Sequence, residues 1–310
     1  MTNETMVTEF ILKGFSDVPE LRLISTIFFL FIYLFALLGN ISIIAAVSRD
    51  SRLHIPMYFF LKNLSFLDMC YTTVIVPKAL INSLMGSEVI SFWECVAQLF
   101  LFVTLCASEC FLLTSMAYDR CLAIYKPLLY GVIMSRKLCT ELVMVAWLSG
   151  AFYAIFHTIN TFSLQFCGPN VIDHFFCDML VLSCSSTYVA EMLILVEGGI
   201  LGISSFLVTF ISYFYIVSAI LKIQSTGGKH KAFSTCASHL LVVCLFGGTT
   251  VFTYVRPYSS QHFPARDRLI SMLYGIITPM LNPMIYSLRN IEVKGALRRV
   301  LCHRVYSLQV

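Results

Sequence analysis

The run LISTIFFLFIYLFALLGNISIIAAV, from Leu23 to Val47, contains no Asp, Glu, Lys or Arg and decides the class of this protein. At about 1.5 Å per residue, a helix of this length exceeds the roughly 30 Å hydrocarbon core of a bilayer. The remaining chain has a similar character, since 58% of the 310 residues are hydrophobic and only 12% are charged. Such a composition lies outside that of soluble globular domains and predicts a membrane protein.

Six further apolar runs follow the first one, so the sequence predicts an all-α bundle of seven transmembrane helices. They lie near Met57–Ile81, Val96–Ala123, Leu142–Phe162, Met192–Ile223, Leu240–Val255 and Leu269–Leu288. Because little sequence remains between the spans, we expect a single domain. We divide it into an extracellular segment 1–22, a seven-helix domain 23–288 and a cytoplasmic segment 289–310 that contains a short amphipathic helix.

The positions of Lys and Arg predict the orientation, because cytoplasmic loops of membrane proteins carry an excess of these residues. If the N-terminus is extracellular, most of the 21 basic residues face the cytoplasm. The basic residues left outside are Lys13, Arg22, Lys78, Arg256, Arg266 and Arg268. The net charge of +4 is therefore explained by the basic residues of the cytoplasmic side and does not predict nucleic-acid binding. On the outer face, Asn3 with Thr5 forms a candidate glycosylation site.

Four cysteines fall on the outer side of this topology, where oxidation is expected. They are Cys95, Cys167, Cys177 and Cys184. Four cysteines allow three pairings. A bond from Cys95 to Cys177 would staple the long loop after span four over the mouth of the bundle, and Cys167 with Cys184 would then form a pair inside that loop.

Three acidic residues lie inside otherwise apolar spans, where a charge is costly unless it is paired, hydrated or protonated. At 1.5 Å per residue, Asp68 and Glu109 both stand about 16 to 18 Å above the inner face, so they can share one site. Two carboxylates at one depth bind a cation such as sodium, share a proton, or are protonated packing groups. Glu197 stands nearer the outer mouth, where it faces either a ligand cavity or interfacial water.

Several motifs together resemble those of one receptor family. The end of span three reads MAYDR from Met116 to Arg120 and, after Cys121 and Leu122, AIYKPL from Ala123 to Leu128. The entrance of span six reads KAFSTCASHL from Lys231 to Leu240, and the exit of span seven reads PMLNPMIYSLRN from Pro279 to Asn290. In this order, the segments are similar to those of tetrapod-type odorant receptors of the rhodopsin-like, G-protein-coupled superfamily.

This resemblance implies a plasma-membrane receptor that binds a small volatile odorant and activates a heterotrimeric stimulatory G protein, which raises cAMP. It implies that Arg120, backed by Asp119, gates the cytoplasmic side and that Tyr213 becomes its partner when span six swings outward. Asn282 and Pro283 form a deformable point in span seven, close to Tyr286. Membrane lipid is the surrounding partner.

The predicted ligand site follows from depth along the spans. Val103 and Gly247 stand about 24 to 25 Å above the cytoplasmic ends of their helices, so they share one layer. The complete set of candidate lining residues is Phe102, Val103, Cys106, Ala107, Gly198, Gly202, Gly247, Thr250, Val251, Tyr254 and Met272. This lining is mostly small and apolar, which suits a volatile molecule held by dispersion and one or two hydrogen bonds.

The sequence departs from the family pattern at several positions. Cys121 and Tyr125 replace the Tyr and Cys that usually follow the Asp-Arg pair, and Leu129 stands where His is common. Gly247 follows Phe246 where the family usually has Tyr, so an aromatic ring expected to move on activation is missing.

Other functions fit the sequence less well. A secondary transporter would show internal repeats, and an intramembrane enzyme would need a nucleophile with a base or a set of metal ligands. His157 and Asn160 are the only hint of such chemistry, so we expect no enzyme and no cofactor apart from an allosteric sodium ion. The closer alternative is a rhodopsin-like receptor for a non-odour small molecule or a peptide.

Overall fold

The computed structural model describes residues 8–13, 19–163, 170–172, 174, 176–177, 188–222, 224–254, 276–289 and 292–299. The helices are α1 (Pro19–Arg49), α2 (Pro56–Met85), α3 (Phe92–Tyr125), α4 (Pro127–Ile133), α5 (Arg136–Phe162), α6 (Tyr188–Lys222), α7 (Thr226–Tyr254) and α8 (Thr278–Arg289). Residues 292–299 form a last short helix, α9. Three short strands, β1 (Glu9–Leu12), β2 (Val89–Ser91) and β3 (Val171–Ile172), complete the architecture.

Within the described residues, five helices are long and apolar enough to cross a membrane. They are α1, α2, α3, α5 and the part of α6 from Gly198 to Lys222. A shorter apolar stretch, Cys236–Gly248, lies inside α7. The helices extend past the apolar runs, so α1 begins at Pro19 rather than at Leu23 and α7 begins well before Leu240.

Helix α3 is the centre of the bundle. Within its most apolar 18-residue stretch, 61% of the residues are buried. The large side chains at the core include Tyr71 and Phe60 of α2 and Phe102 of α3, each at most 2% exposed. Helix α5 approaches α3 closely at Gly150, where an added Cβ would lie 2.7 Å from the carbonyl oxygen of Thr104. Only a glycine permits this distance between the two helices.

A three-stranded sheet covers the end of the bundle at which α1 and α3 begin, and its strand order is β2-β1-β3. Strand β1 pairs antiparallel with β2 and parallel with β3. The sheet buries Phe10, Leu12, Ile90 and Ile172 against the cysteines Cys95 and Cys177. The sequence predicted only that residues 1–22 form an extracellular segment, and the sheet shows that part of this segment is folded onto the bundle.

At the other end of the bundle, α9 is fastened to the start of α2 and to the turn before it. The Arg299 guanidinium contacts Asp50 at 2.5 Å, which lowers the pKa of this carboxyl group. The hydroxyl of Tyr58 donates to Glu292 at 2.7 Å. Val293 is completely buried. The predicted short helix after span seven is therefore present.

Candidate ligand-binding and coupling sites

Two carboxylates and an amide meet in the middle of the bundle. The Asn282 amide nitrogen of α8 lies 3.0 Å from each Asp68 carboxylate oxygen and 3.4 Å from Glu109 Oε1. All three side chains are about 1% exposed. The structure thus brings together the two acids that the sequence placed at one depth, and it adds an amide that donates to both.

The same layer connects α8 to α1. The Asn40 amide donates to the Ala36 carbonyl and, at 3.3 Å, to the carbonyl of Pro279. Pro283 lies inside α8, where it removes one rung of the backbone ladder. Its ring packs so closely on Gly39 that an added Cβ there would lie 3.1 Å from it. The predicted deformable point of span seven therefore lies against α1.

A second polar cluster ties α6 and α7 to α3 in the half of the bundle that carries the Asp-Arg pair. His239 of α7 is completely buried, and its Nε2 donates to the Leu113 carbonyl of α3 at 3.1 Å. Its Nδ1 lies 2.8 Å from the Tyr213 hydroxyl of α6, which also lies 3.1 Å from the Cys236 carbonyl. The rings of Tyr213 and His239 are stacked, with an interplanar angle of 10°. In this arrangement, the hydroxyl of Tyr213 contacts α7.

Arg120 and Asp119 lie just below this cluster, at the end of α3. They are 5% and 1% exposed, which is unusual for charged side chains. The Tyr130 hydroxyl of α4 donates to Asp119 at 2.8 Å. Helix α4 is thereby attached to the Asp-Arg pair. Leu128, also in α4, is 95% exposed, so α4 presents an apolar side chain on the surface beside the Asp-Arg pair.

Three predicted ligand contacts on α3 are buried. Val103 and Ala107 are 5% and 8% exposed, and Phe102 is only 1% exposed. The Phe102 ring packs between those of Tyr71 and Phe176, with centroids 5.2 and 5.1 Å away. Little of its surface is therefore open to a ligand in this arrangement. Cys106 is partly buried.

The glycines that the sequence assigned to the site differ in their surroundings. An added Cβ at Gly198 would lie 3.4 Å from the Tyr153 hydroxyl of α5. At Gly202 and Gly247, no described atom lies within 4 Å of an added Cβ. Gly202 is itself exposed, although the buried Ser205 lies three residues further along α6. The described structure therefore leaves open space beside these two glycines.

The bond from Cys95 to Cys177 is present, with an S–S distance of 2.08 Å. Gln98 supports it from one turn further along α3. Its side-chain oxygen accepts from the Cys177 amide at 2.9 Å, and its nitrogen donates to the Val74 carbonyl of α2 at 3.1 Å. The predicted staple of the loop to α3 is confirmed.

Part of the predicted set cannot be placed. Outside the described residues lie Met272, Cys167, Cys184 and Asn3, together with the side chains of Thr250, Val251, Tyr254 and Glu197.

Three polar residues with structural partners were not predicted from the sequence. The KAFSTCASHL motif contains His239 but assigns it no role. In the structure, His239 lies on the buried face of α7, three residues after Cys236. In the sequence, Tyr130 lies in an ordinary-looking loop and Gln98 lies in an ordinary-looking transmembrane span. Their roles depend on partners distant in sequence, and no local pattern shows those partners.

Comparison with known proteins identifies the relatives of this chain. A sequence model of the family described as olfactory receptor matches residues 29–304. Olfactory receptor 8U9 of Mus musculus is 50% identical, with 97% of each chain covered. Olfactory receptor 5A1 of Homo sapiens is 49% identical over 96% of each chain. Olfactory receptor 5T7 of Mus musculus is 47% identical, over 98% of this chain and 99% of its own.

Proposed function

Because the chain belongs to the olfactory receptor family, a family of seven-helix membrane receptors, we propose that it binds a small volatile odorant and activates a stimulatory, olfactory-type G protein. The response would be a rise in cAMP. The observation that carries this proposal is the hydrogen-bonded cluster that links α3, α6 and α7 beside Arg120. A receptor needs such a link between two helix packings that a ligand can bias.

The odorant is assigned to the outer half of the bundle, between α3, α6 and α7. Gly202 and Gly247 border open space there, and the neighbouring residues Val103 and Ala107 offer only apolar surface. A small apolar molecule gains affinity in such a site through dispersion and through removal of its surface from water. Thr250, Val251, Tyr254 and Met272 remain in the proposed lining.

Coupling is assigned to the inner half. If a ligand favours outward movement of α7, the bond from His239 to the Leu113 carbonyl must break. The Tyr213 hydroxyl then loses its partners on α7 and is free to turn toward Arg120. This exchange would open the cytoplasmic side next to Leu128, whose exposed side chain gives the G protein an apolar contact.

The first test separates coupling from ligand binding. Arg120→Ala should abolish the cAMP response to an active odorant while the receptor still reaches the cell surface, because Arg120 lies more than about 20 Å below the proposed pocket. Arg136→Ala is the matched control, since Arg136 is an exposed basic residue on the cytoplasmic side. The measurement is a cAMP dose-response curve normalised to surface expression.

A second variant tests the direction of the exchange. His239→Phe keeps a ring in the cavity but removes the bond to Leu113, so the response without odorant should rise several-fold. A normal odorant response from well-expressed Arg120→Ala, or an unchanged basal level in His239→Phe, would contradict the coupling assignment.

The orientation proposed for the chain has the N-terminus outside the plasma membrane, with Asn3 as the glycosylation site. The disulfide from Cys95 to Cys177 supports this orientation, because it lies at the same end as β1 and disulfides persist in oxidising compartments. The basic residues of α9 and of the start of α5 lie at the opposite end, as the positive-inside rule requires.

Asp68, Glu109 and Asn282 are proposed to hold a sodium ion when no odorant is bound. The donors fit a hard cation, since they are carboxylate and amide oxygens. The Asn282 Oδ1 atom is buried and has no hydrogen-bond partner among the described residues. The Asn282 side chain can therefore rotate so that this oxygen contacts a cation. The cation would then take the place of the amide N–H groups as the partner of the two carboxylates. The alternative is that the carboxyl groups share a proton.

Sodium should act against the odorant if activation compresses this site. We expect odorant potency to fall when sodium replaces a large organic cation at constant ionic strength. Asp68→Asn should remove this dependence. Asp119→Asn is a control, because its carboxyl group is equally buried but lies in the cytoplasmic cluster. Potency that is independent of sodium in the unmodified receptor would favour the shared proton.

A further inference from the structure

A groove on the lipid-facing side of the bundle is separate from the proposed ligand pocket and borders the deformable point at Pro283. It is formed by Phe35, Ser42 and Ile43 of α1, Pro283 and Met284 of α8, and Leu297 of α9, and its volume is about 110 Å³. Pockets for drug-sized ligands usually measure about 300–1,000 Å³. This groove is therefore too small to enclose such a ligand, although it can hold a segment of a longer apolar molecule.

The surface around the groove is exposed to the membrane. Only 28% of the most apolar window of α1 is buried, and Phe35, Leu38 and Ile41 are 39%, 66% and 49% exposed. The open side of the groove therefore faces lipid chains. Its axis follows α1 from Ile43 to Phe35, which stand about 9 and 21 Å above the helix end at Arg49.

Helix α9 borders the groove and has two different edges. One edge is held by the protein, through Arg299 with Asp50 and Glu292 with Tyr58. The other edge carries Lys294 and Arg298, which are four residues apart on one face of the helix. Both are exposed. In sequence they lie three residues before and one residue after Leu297, the α9 residue that lines the groove.

We propose that this groove binds one anionic phospholipid, with an acyl chain along Ile43, Ser42 and Phe35 and its headgroup on Lys294 and Arg298. Anionic lipids are concentrated in the cytoplasmic leaflet, and each nearby Lys or Arg strengthens their binding. The assignment of this leaflet rests on the orientation proposed above. The bound chain contacts Pro283 and Met284, so the lipid lies directly against the deformable point of α8.

The charges distinguish this occupant from two others. A sterol would fill the apolar groove but would leave Lys294 and Arg298 without a role. A second copy of the receptor, docked through a two-fold axis at this face, would place the same basic residues of the two chains near one another. Repulsion between them disfavours that contact. An acidic headgroup can contact both residues at once and lowers their combined charge.

The test uses the full receptor in nanodiscs of phosphatidylcholine that contain a small fraction of phosphatidylserine with a diazirine on one acyl chain. Both leaflets hold the same lipid, so the test is independent of orientation and needs no odorant. After illumination, peptide mapping should show the label concentrated on residues 35–43 and 283–297. A phosphatidylcholine probe of the same chain length should label these segments much less.

Charge variants test the headgroup contacts. At subsaturating probe, Lys294→Gln with Arg298→Gln should lower the labelling about 25-fold, since each basic residue contributes about fivefold to affinity. The matched control, Arg136→Gln with Lys137→Gln, removes the same charge from exposed residues at the start of α5 and should leave the labelling unchanged.

Filling the groove tests the acyl-chain contacts. Ser42→Phe should lower the labelling, whereas Ile41→Phe, at the adjacent exposed position, should not. Even labelling around the bundle would overturn the proposal in favour of unspecific surrounding lipid. Equal labelling by both probes would overturn the headgroup assignment. A Ser42→Cys variant tests for a second receptor in the groove. If this cysteine cross-links two receptors and the cross-linked pair is no longer labelled, a second copy is the occupant.

Discussion

The contact between α3 and α5 and the glycines of α6 show two opposite uses of glycine. Against α3, Gly150 allows the backbones to meet, and an added Cβ would collide with the Ser108 hydroxyl and the Thr104 carbonyl. On α6, Gly199 and Gly202 have no described atom within 4 Å of an added Cβ. One set of glycines removes space between helices, and the other leaves it.

Burial separates α3 from α6, although α5 resembles α6, with 28% of its most apolar stretch buried. In the most apolar windows, 61% of α3 but only 22% of α6 is buried. A helix with few buried contacts can shift at low cost, whereas a closely packed pair is confined to one arrangement. The comparison indicates that α3 with α5 forms the fixed part of the receptor, and that α6 with α7 forms the part whose packing a ligand can bias.

The largest effect should come from breaking the fixed contact. Gly150→Val places two branches against the Thr104 carbonyl, which is backbone and cannot rotate away, so the helices must separate. Overpacking of this kind costs about 1–3 kcal/mol or more. We expect surface expression to fall close to background in a flow-cytometry assay.

Gly199→Val is the matched control for this change, because an added Cβ at Gly199 meets no described atom within 4 Å. Its expression should be close to that of the unmodified receptor. If both variants express equally well, the contact of α3 with α5 is not a fixed element and the comparison fails.

A loss of comparable size is expected when the staple at the first turn of α3 is removed. Cys95→Ser opens the disulfide to Cys177, and loss of a native disulfide typically costs about 2–5 kcal/mol. Surface delivery, measured with an antibody to an N-terminal tag in intact cells, should fall sharply. Detection of the tag without permeabilisation also tests the proposed orientation.

Cys244→Ser is the control for the staple, since Cys244 is a free, exposed cysteine of α7. It should not change surface delivery. Mass spectrometry that finds Cys95 as a free thiol in the functional receptor would rule out the structural role of the bond.

The sequence predicted the helix bundle and the common depth of the two central acids because both depend on the regular geometry of the α-helix. Helical rise is uniform, so residue spacing alone placed Asp68 and Glu109 at one depth, where they now share Asn282. Short elements carry no such regularity. Strand β1 and helix α4 contain four and seven residues, too few to show a period, and they were not predicted.

Contacts between distant segments were also beyond the sequence. Nothing local distinguishes Gly150 from Gly202, yet the structure places one against a backbone carbonyl and the other beside open space. Phe102 was assigned to the ligand layer by its depth, but depth does not reveal that its ring packs between Tyr71 and Phe176. The predicted ligand contacts therefore remain predictions, whereas the staple is confirmed.

The smallest and most specific effect concerns the movable part. The family resemblance predicts a Tyr at the position of Gly247, and no described atom lies within 4 Å of an added Cβ there. A ring can therefore be introduced without a collision in the described structure. If Gly247 faces the pocket, Gly247→Tyr fills volume and adds one hydroxyl group. The response to the largest agonists should weaken, and that to small polar agonists should be retained or strengthened.

The control is Gly248→Tyr, at the next position of α7. Gly248 is exposed and lies on the same face as the exposed Leu241 and Cys244, so its ring should enter lipid and leave the size preference unchanged. The measurement is a set of cAMP dose-response curves for a size series of odorants, normalised to surface expression. Loss of expression in Gly247→Tyr alone would indicate that Gly247 permits a close helix contact, as small residues do in membranes. A well-expressed Gly247→Tyr receptor with the size profile of Gly248→Tyr would show that residue 247 does not line the pocket, and the open space beside it would then belong to the lipid side of α7.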